Sequence, residues 1–225
     1  MTTQVMTFAR RSLWLLPLWA VLLFLATFTH QPDPQTAFAD WSAYVTTDIF
    51  LVSHLVASIA GAAIGSIAIA GLMLYLQDSR GARRMVTGMA ATIAGNLFLT
   101  AIFGIAAFAQ PAMGRMFLAG EAVAFDFYNE VYGAPLLATA MLALLLFLIG
   151  GIFTGSAIAA SGRLPRWTGW AYAIATTGFV VSFLVWPVGM SVSSALLAAA
   201  TAAIAWRGVR SAPGEQASVA IAAGV

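Results

Sequence analysis

The sequence predicts an all-α, polytopic integral membrane protein, namely a bundle of six transmembrane helices with one further, interfacial helix on the extracytoplasmic side. Hydrophobic residues make up 61% of the 225 residues and charged residues only 8%, whereas charged residues form about a quarter of a soluble domain. The mean hydropathy is +0.92. The apolar residues form six runs that are each long enough to cross a bilayer as a helix. No run shows the alternation of a membrane β-strand.

The six predicted spans follow one another closely and form a single transmembrane domain over residues 12–207. They cover residues 12–28, 48–76, 85–108, 135–160, 167–186 and 188–206. We expect the second span to be tilted, because its run exceeds the thickness of the hydrocarbon core. Residues 1–11 are predicted to be a cytoplasmic N-terminus and residues 208–225 a disordered cytoplasmic tail. The stretch GRLPRWTGWAYAIA, followed by a last span of small residues that ends in AWRG, is typical of small polytopic bacterial membrane proteins.

The positions of the basic residues predict the orientation in the membrane. All ten basic residues are arginine, and nine of them fall on one side of the six-span arrangement: Arg10, Arg11, Arg80, Arg83, Arg84, Arg163, Arg166, Arg207 and Arg210. The positive-inside rule makes this side cytoplasmic, with both termini in the cytoplasm and the spans in the cytoplasmic (inner) membrane. We therefore expect the bilayer itself as a partner, with anionic lipid at the cytoplasmic face. A homo-oligomer or a membrane partner is possible on this pattern, and nothing indicates nucleic acid.

A second interpretation of the N-terminus stays open. Arg10 and Arg11 precede an apolar run, and Ala37 and Ala39 are spaced like a signal-peptidase site. Cleavage after residue 39 would leave five spans. The run is long for a signal peptide and "THQPDPQ" places the site far beyond it, which favours retention of the first span.

The longest connection predicts the interfacial helix, over residues 112–131. A helix here places Arg115, Asp126 and Glu130 on one face and apolar side chains opposite, which is the pattern of a helix lying at a membrane surface. Glu121 falls among aromatic residues instead of among the other acids. The segment can therefore be a simple surface connector or a lid over the outer end of the bundle.

A histidine interrupts the second span, in the stretch FLVSHLVASIAGAAIG. At 1.5 Å per residue, His54 lies about 9 Å below the outer surface. Helical spacing puts it on one face with Ser58 and two glycines, and small residues four apart allow a neighbouring helix to approach closely. The fourth span repeats this glycine spacing. The predicted helix-packing positions are Gly61, Gly65, Gly151 and Gly155.

The third span carries the best partner for His54 on composition. Thr92, Asn96 and Thr100 form one polar line, and an asparagine amide near the middle of a membrane needs hydrogen-bond partners inside the bundle. Two interpretations follow, either interhelical hydrogen bonds alone or two polar lines that face each other across an outward-open cavity. The candidate cavity residues are His54, Ser58, Thr92, Asn96, Thr100 and Glu121.

The sequence excludes several kinds of chemistry. The absence of cysteine rules out disulfides, thiolate metal sites and cysteine nucleophiles. The acids and histidines match no zinc or calcium spacing, and His30 and His54 lie at different depths, which disfavours a haem. No metal, no cofactor and no catalytic residue is therefore predicted.

Three functions remain open. The leading one is a transport, sensing or partner-assisting module with a shallow outward polar cavity around His54 and Asn96. The second is a membrane-embedded enzyme that acts on a lipid-soluble substrate, with His54 as general base and an acid such as Glu121 assisting. The third is a purely structural accessory subunit.

Overall fold

The computed structural model describes residues 3–28 and 31–210, whose regular secondary structure is helical, without a strand. The helices are α1 (Thr3–Ser12), α2 (Leu15–Ala26), α3 (Phe38–Val45), α4 (Asp48–Val52), α5 (Gly61–Leu76), α6 (Ala82–Gly104), α7 (Gln110–Leu118), α8 (Val123–Val131), α9 (Ala134–Ala160), α10 (Arg166–Val185) and α11 (Pro187–Arg210). Two π-helical segments, Ser53–Ala60 and Ile105–Ala109, join α4 to α5 and α6 to α7. The predicted disordered tail from residue 211 onward and His30 lie outside the described residues.

Six helical stretches within the described residues are long and apolar enough to cross a membrane. They are Gln4–Ala26, Asp48–Leu76, Ala82–Leu118, Ala134–Ala160, Arg166–Val185 and Val188–Arg210. The prediction of an all-helical chain with six spans is therefore confirmed at this level, and the architecture fits a multi-pass membrane protein.

The boundaries differ from the predicted ones at two places. Helix begins at Thr3, inside the segment expected to be a cytoplasmic N-terminus, and continues into the first apolar run. The segment 112–131 is two helices instead of one, because its first part extends the third span as α7 and its second part is α8. The break falls at Gly120, whose φ of +90° lies in the left-handed region that glycine occupies without steric cost.

The six long helices form a closed ring in chain order. Helix α2 contacts α5, α5 contacts α6, α6 contacts α9, α9 contacts α10, α10 contacts α11, and α11 returns to α2. The closest approaches use glycine. A Cβ on Gly88 would overlap Thr154, and one on Gly150 would overlap Thr92, so α6 and α9 interlock reciprocally. Because neighbouring helices approach each other closely at glycine, side chains from the helices line the space at the centre of the ring.

The two ends of the ring differ in charge and in how the interior between the helices is packed. We call the end with the nine arginines the basic end, and the other, with Asp33, Asp40, Asp48, Glu121, Asp126 and Glu130, the acidic end. The basic half is filled by a hydrophobic core that includes Leu13, Leu72, Tyr75, Ile158 and Ile204. At the basic end, Arg163 donates a hydrogen bond to the Tyr75 carbonyl and lies 4.0 Å from Asp78.

An aromatic cap covers part of the acidic end. We define it as α3, α7 and α8, which pack around the buried side chains Trp41, Val45, Phe50, Met113 and Tyr128. The Phe38 ring stands edge-on to Phe117 and Phe125, with ring centroids 5.0 Å apart in both pairs. Because α7 continues the helix of span three, the cap is joined directly to the ring.

A buried polar pair lies at the base of the cap. The Gln110 amide donates a hydrogen bond to the Tyr132 hydroxyl. Burial raises the pKa of Tyr132 to about 12, and the neighbouring Tyr128 raises it as well, whereas the hydrogen bond from Gln110 lowers it.

Candidate functional site

A cavity of about 330 Å³ lies inside the ring, in its acidic half. All six long helices contribute to its wall. The lining residues that extend furthest from the acidic end are Trp19, Ala62, Asn96, Phe147 and Phe179. On α2 the lining runs from Thr27 to Trp19, which spans about 12 Å at 1.5 Å per residue. The cavity is therefore a pocket in one half of the bundle and does not pass through it.

Three aromatic rings form the floor of the cavity. The ring centroids of Trp19 and Phe147 are 5.9 Å apart, and those of Phe147 and Phe179 are 6.0 Å apart. All three belong to the core that fills the basic half. At the other end, the lining residues Gln31 and Phe183 are exposed, so the cavity reaches the surface at the acidic end.

His54 lines the cavity from the π-helical segment Ser53–Ala60. Its Nδ1 lies 2.9 Å from the Phe50 carbonyl oxygen, and the two rings are 4.2 Å apart. A carbonyl only accepts hydrogen bonds, so Nδ1 carries the proton and Nε2 of the neutral ring carries the lone pair. Nε2 has no hydrogen-bond partner among the described residues. The π-helical turn also puts Ser58 on the wall, and π-helical segments occur frequently at functional sites.

Asn96 lines the floor from α6. Its Nδ2 donates to the Ala62 carbonyl oxygen at 3.2 Å and to Ser66 Oγ at 3.1 Å, on α5. The Ala62 carbonyl is an acceptor, which fixes the orientation of the amide and directs Oδ1 away from α5. Oδ1 has no partner within the described part of the chain. Asn96 thus joins two helices and retains one free acceptor.

The remaining polar groups on the wall are weaker anchors. Ser58 contributes a hydroxyl that makes no hydrogen bond with the described residues. The Thr27 hydroxyl donates to the Phe24 carbonyl oxygen at 2.7 Å and contacts Ser191 Oγ at 2.8 Å. Gln31 accepts a hydrogen bond from Trp41 Nε1 at 3.3 Å, which links the mouth of the cavity to the aromatic cap.

The other predicted cavity residues lie elsewhere. Thr92 is buried against α9, and Thr100 donates to the backbone oxygen of Asn96 at 2.7 Å. Neither lines the cavity. Glu121 is exposed in the turn between α7 and α8, away from the wall. Of the six candidates, the structure brings together His54, Ser58 and Asn96.

The four predicted packing glycines differ in their surroundings. A Cβ on Gly65 would overlap the Trp19 indole, one on Gly151 the Thr176 side chain, and one on Gly155 the backbone of α10. Gly61 is different, because an added Cβ would lie at an ordinary 3.5 Å from Leu22. Gly61 lines the cavity.

The aromatic and aliphatic wall has no counterpart among the sequence-derived candidates. Leu99, Phe103, Leu144 and Phe183 line the cavity, yet an apolar residue in a span carries the same sequence signal whether it faces lipid, a neighbour or a cavity. The one sequence feature that could have predicted this apolar wall is the presence of aromatic side chains at equivalent depths in spans one, four and five.

The electrostatics of the site are neutral. No carboxylate and no arginine lines the cavity among the described residues. The same residues contain no cluster of three His, Asp or Glu side chains placed to hold a metal ion. The arrangement is suited to binding an uncharged molecule, with hydrogen bonds from a small number of fixed polar groups.

No protein-family profile, curated protein or solved structure matches this chain.

Proposed function

We propose that this chain is a multi-pass protein of the cytoplasmic membrane, with both termini in the cytoplasm, whose cavity binds a small and mainly apolar molecule from the outer side. It does so as a transport, sensing or partner-assisting module. The observation that carries the proposal is the cavity of about 330 Å³, whose largely apolar wall holds the oriented polar groups of His54 and Asn96. Ligand sites typically enclose about 300–1,000 Å³ and combine an apolar wall with a few placed polar groups.

Insertion in a membrane is supported by the outer surface of the ring. Large apolar side chains are exposed along the middle of the long helices, for example Ile67 (54%), Leu97 (67%), Leu145 (52%) and Ile174 (68%). Such a surface is unfavourable in water and suits lipid. The charges lie at the two ends, and the nine arginines at the basic end support a cytoplasmic location and contact with anionic lipid there. Helix α8, on this proposal, lies in the outer interface.

The enzyme alternative has less support. A general base at His54 requires an acid or a second polar group that handles protons at the same site. The nearest candidate from the sequence, Glu121, does not line the cavity. The alternative of a purely structural subunit also has less support. A structural role is served by a fully packed interior, whereas this bundle has a cavity to which all six long helices contribute.

Native mass spectrometry of the protein released from nanodiscs tests the proposal. We expect a small neutral molecule to be retained by the wild-type protein, and the Ala140→Phe variant to lose it because the new ring fills the cavity from α9. Ala138→Phe is the matched control, since Ala138 is exposed on the same helix and does not line the cavity. Equal retention by both variants would remove the basis for a ligand in this cavity.

A further inference from the structure

The polar groups of the cavity share one property. The neutral His54 ring has one N–H donor and one acceptor, and the Asn96 amide has two N–H donors and one acceptor. In both residues the donors are already occupied by groups of span two. His54 Nδ1 lies 2.9 Å from the Phe50 oxygen, and Asn96 Nδ2 lies 3.2 Å from the Ala62 oxygen. Carbonyls cannot donate, so neither side chain can reverse its orientation without losing a hydrogen bond.

What remains for a ligand is therefore a pair of acceptors. His54 Nε2 and Asn96 Oδ1 have no hydrogen-bond partner among the described residues, and both residues line the cavity. The Ser58 hydroxyl can donate or accept, so it serves either kind of ligand. Gln31 presents its amide only at the mouth, where its side chain is exposed.

We infer that the molecule bound in this cavity carries a neutral hydrogen-bond donor, that is, a hydroxyl on an apolar body, as in a lipid-soluble alcohol or phenol. The inference rests on the proposed function and specifies its ligand class. A ketone, ether or ester has no donor for His54 Nε2 and Asn96 Oδ1, so both fixed acceptors would stay unsatisfied in an apolar space, which is costly. A cation fits equally poorly, because no carboxylate among the described residues lines the wall to compensate a buried charge.

The shape of the cavity agrees with such a ligand. The aromatic floor of Trp19, Phe147 and Phe179 accepts an apolar ring or chain by edge contacts. A volume of about 330 Å³ equals that of about eleven waters at about 30 Å³ each, enough for a single ring with a short alkyl chain.

Three probes of one skeleton test the inference. Para-hexylphenol has a donor, para-hexylanisole is its methyl ether and only accepts, and hexylbenzene does neither. Binding to the full chain in nanodiscs is measured by equilibrium dialysis, with empty nanodiscs subtracted. We expect the phenol to bind roughly tenfold more tightly than the ether, as for one well-placed hydrogen bond.

Two variants assign the preference to the two acceptors. His54→Phe removes Nε2, and the Phe50 carbonyl keeps its hydrogen bond from Ser53 Oγ at 3.0 Å. Asn96→Leu removes Oδ1, and the Ala62 carbonyl keeps its hydrogen bond from Ser66 Oγ at 2.9 Å. At least one variant is expected to bring the phenol-to-ether ratio close to one, with hexylbenzene binding retained as evidence of an intact cavity.

The possible outcomes distinguish a failure of the donor inference from a failure of the proposed function. Binding of all three probes with equal affinity, abolished by Ala140→Phe, would overturn the donor inference and leave the proposed function standing. Tighter binding of the ether, or a phenol preference that survives in both variants, would also overturn it. If no probe binds the wild-type protein, the proposed function fails and the inference fails with it.

Discussion

The contact between α9 and α10 offers a sharp test of how the ring is packed. A Cβ added to Gly155 would lie 2.5 Å from the Gly169 carbonyl oxygen and 2.6 Å from Ala173 Cβ. These atoms belong to the backbone or to a short side chain, so none of them can rotate away. The Gly155→Ala variant must therefore push the two helices apart by at least about 0.5 Å to reach a 3.0 Å contact.

The expected cost follows from overpacking. Extra methyl groups in a packed core cost about 1–3 kcal/mol, and we expect the upper half of that range because main-chain atoms block the site. Glycine to alanine in a helix also gains about 0.5–1 kcal/mol of conformational entropy. The net loss in the free energy of unfolding for Gly155→Ala is thus about 1–2.5 kcal/mol.

Gly61→Ala is the matched control. Gly61 has helical φ and ψ of −57° and −48°, and its added Cβ makes only ordinary contacts, at 3.5 Å to Leu22 and 3.9 Å to the Val56 carbonyl oxygen. The entropic gain is common to both variants, so the difference between them isolates the overpacking cost, about 2–3 kcal/mol.

The assay is SDS titration of the purified protein in mixed micelles, followed by circular dichroism. We expect Gly155→Ala to unfold at lower SDS fraction than the wild type and Gly61→Ala to unfold at the same or a higher fraction. Equal free energies of unfolding for the two variants would refute the close approach of α9 and α10.

Three further predictions concern other parts of the molecule. Gly65→Leu is expected to destabilise the protein in detergent far more than Ala63→Leu, because Gly65 faces the Trp19 indole whereas Ala63 is exposed; equal melting temperatures would contradict this. The tyrosinate absorbance that is lost in Tyr132→Phe should titrate near pH 12. Because the pKa of Tyr132 in the folded state lies above that of an exposed tyrosine, its contribution to the free energy of unfolding is full below about pH 10 and declines at higher pH. Titration near pH 10 would contradict burial of the Tyr132 hydroxyl. Reporter fusions after Arg84 should report the cytoplasm and fusions after Asn129 the outside, and a reversed pair of signals would invert the proposed orientation.

The helices were predictable because hydropathy acts over long windows. Each apolar run of about 20 residues leaves only one economical structure in a bilayer, which fixes the number and order of the spans. The ends were less predictable. The helical pattern across residues 112–131 is amphipathic throughout, and it does not reveal that Gly120 takes a left-handed conformation and divides the segment.

Three of the six candidate cavity residues line the cavity, and helical geometry explains why Thr92 and Thr100 do not. Positions four apart differ by about 40° around a helix, so Thr92 and Thr100 lie about 80° apart. That angle is enough to point Thr92 at α9 and to leave Asn96 alone facing α5 and the cavity. On span two, which contains the π-helical segment, Gly61 lines the cavity together with His54 and Ser58, whereas Gly65 faces the Trp19 indole and does not line it.

The size and apolar character of the cavity required the three-dimensional structure. They depend on how α2, α9, α10 and α11 are arranged around the two polar helices, and nothing in a span's composition indicates its rotation. The sequence predicts a polar cavity from its rare polar residues, whereas the observed wall is mainly apolar with few polar groups.

The measurement that tests the central claim most directly is protection of a single cysteine in the cavity. The chain has no cysteine, so Ser58→Cys introduces one thiol on the cavity wall, and Asp126→Cys introduces one on the exposed face of the cap. We predict that para-hexylphenol slows the reaction of the Ser58→Cys thiol with N-ethylmaleimide severalfold and leaves the Asp126→Cys reaction unchanged. Identical rates for Ser58→Cys with and without para-hexylphenol at saturating concentration would contradict a ligand site in this cavity.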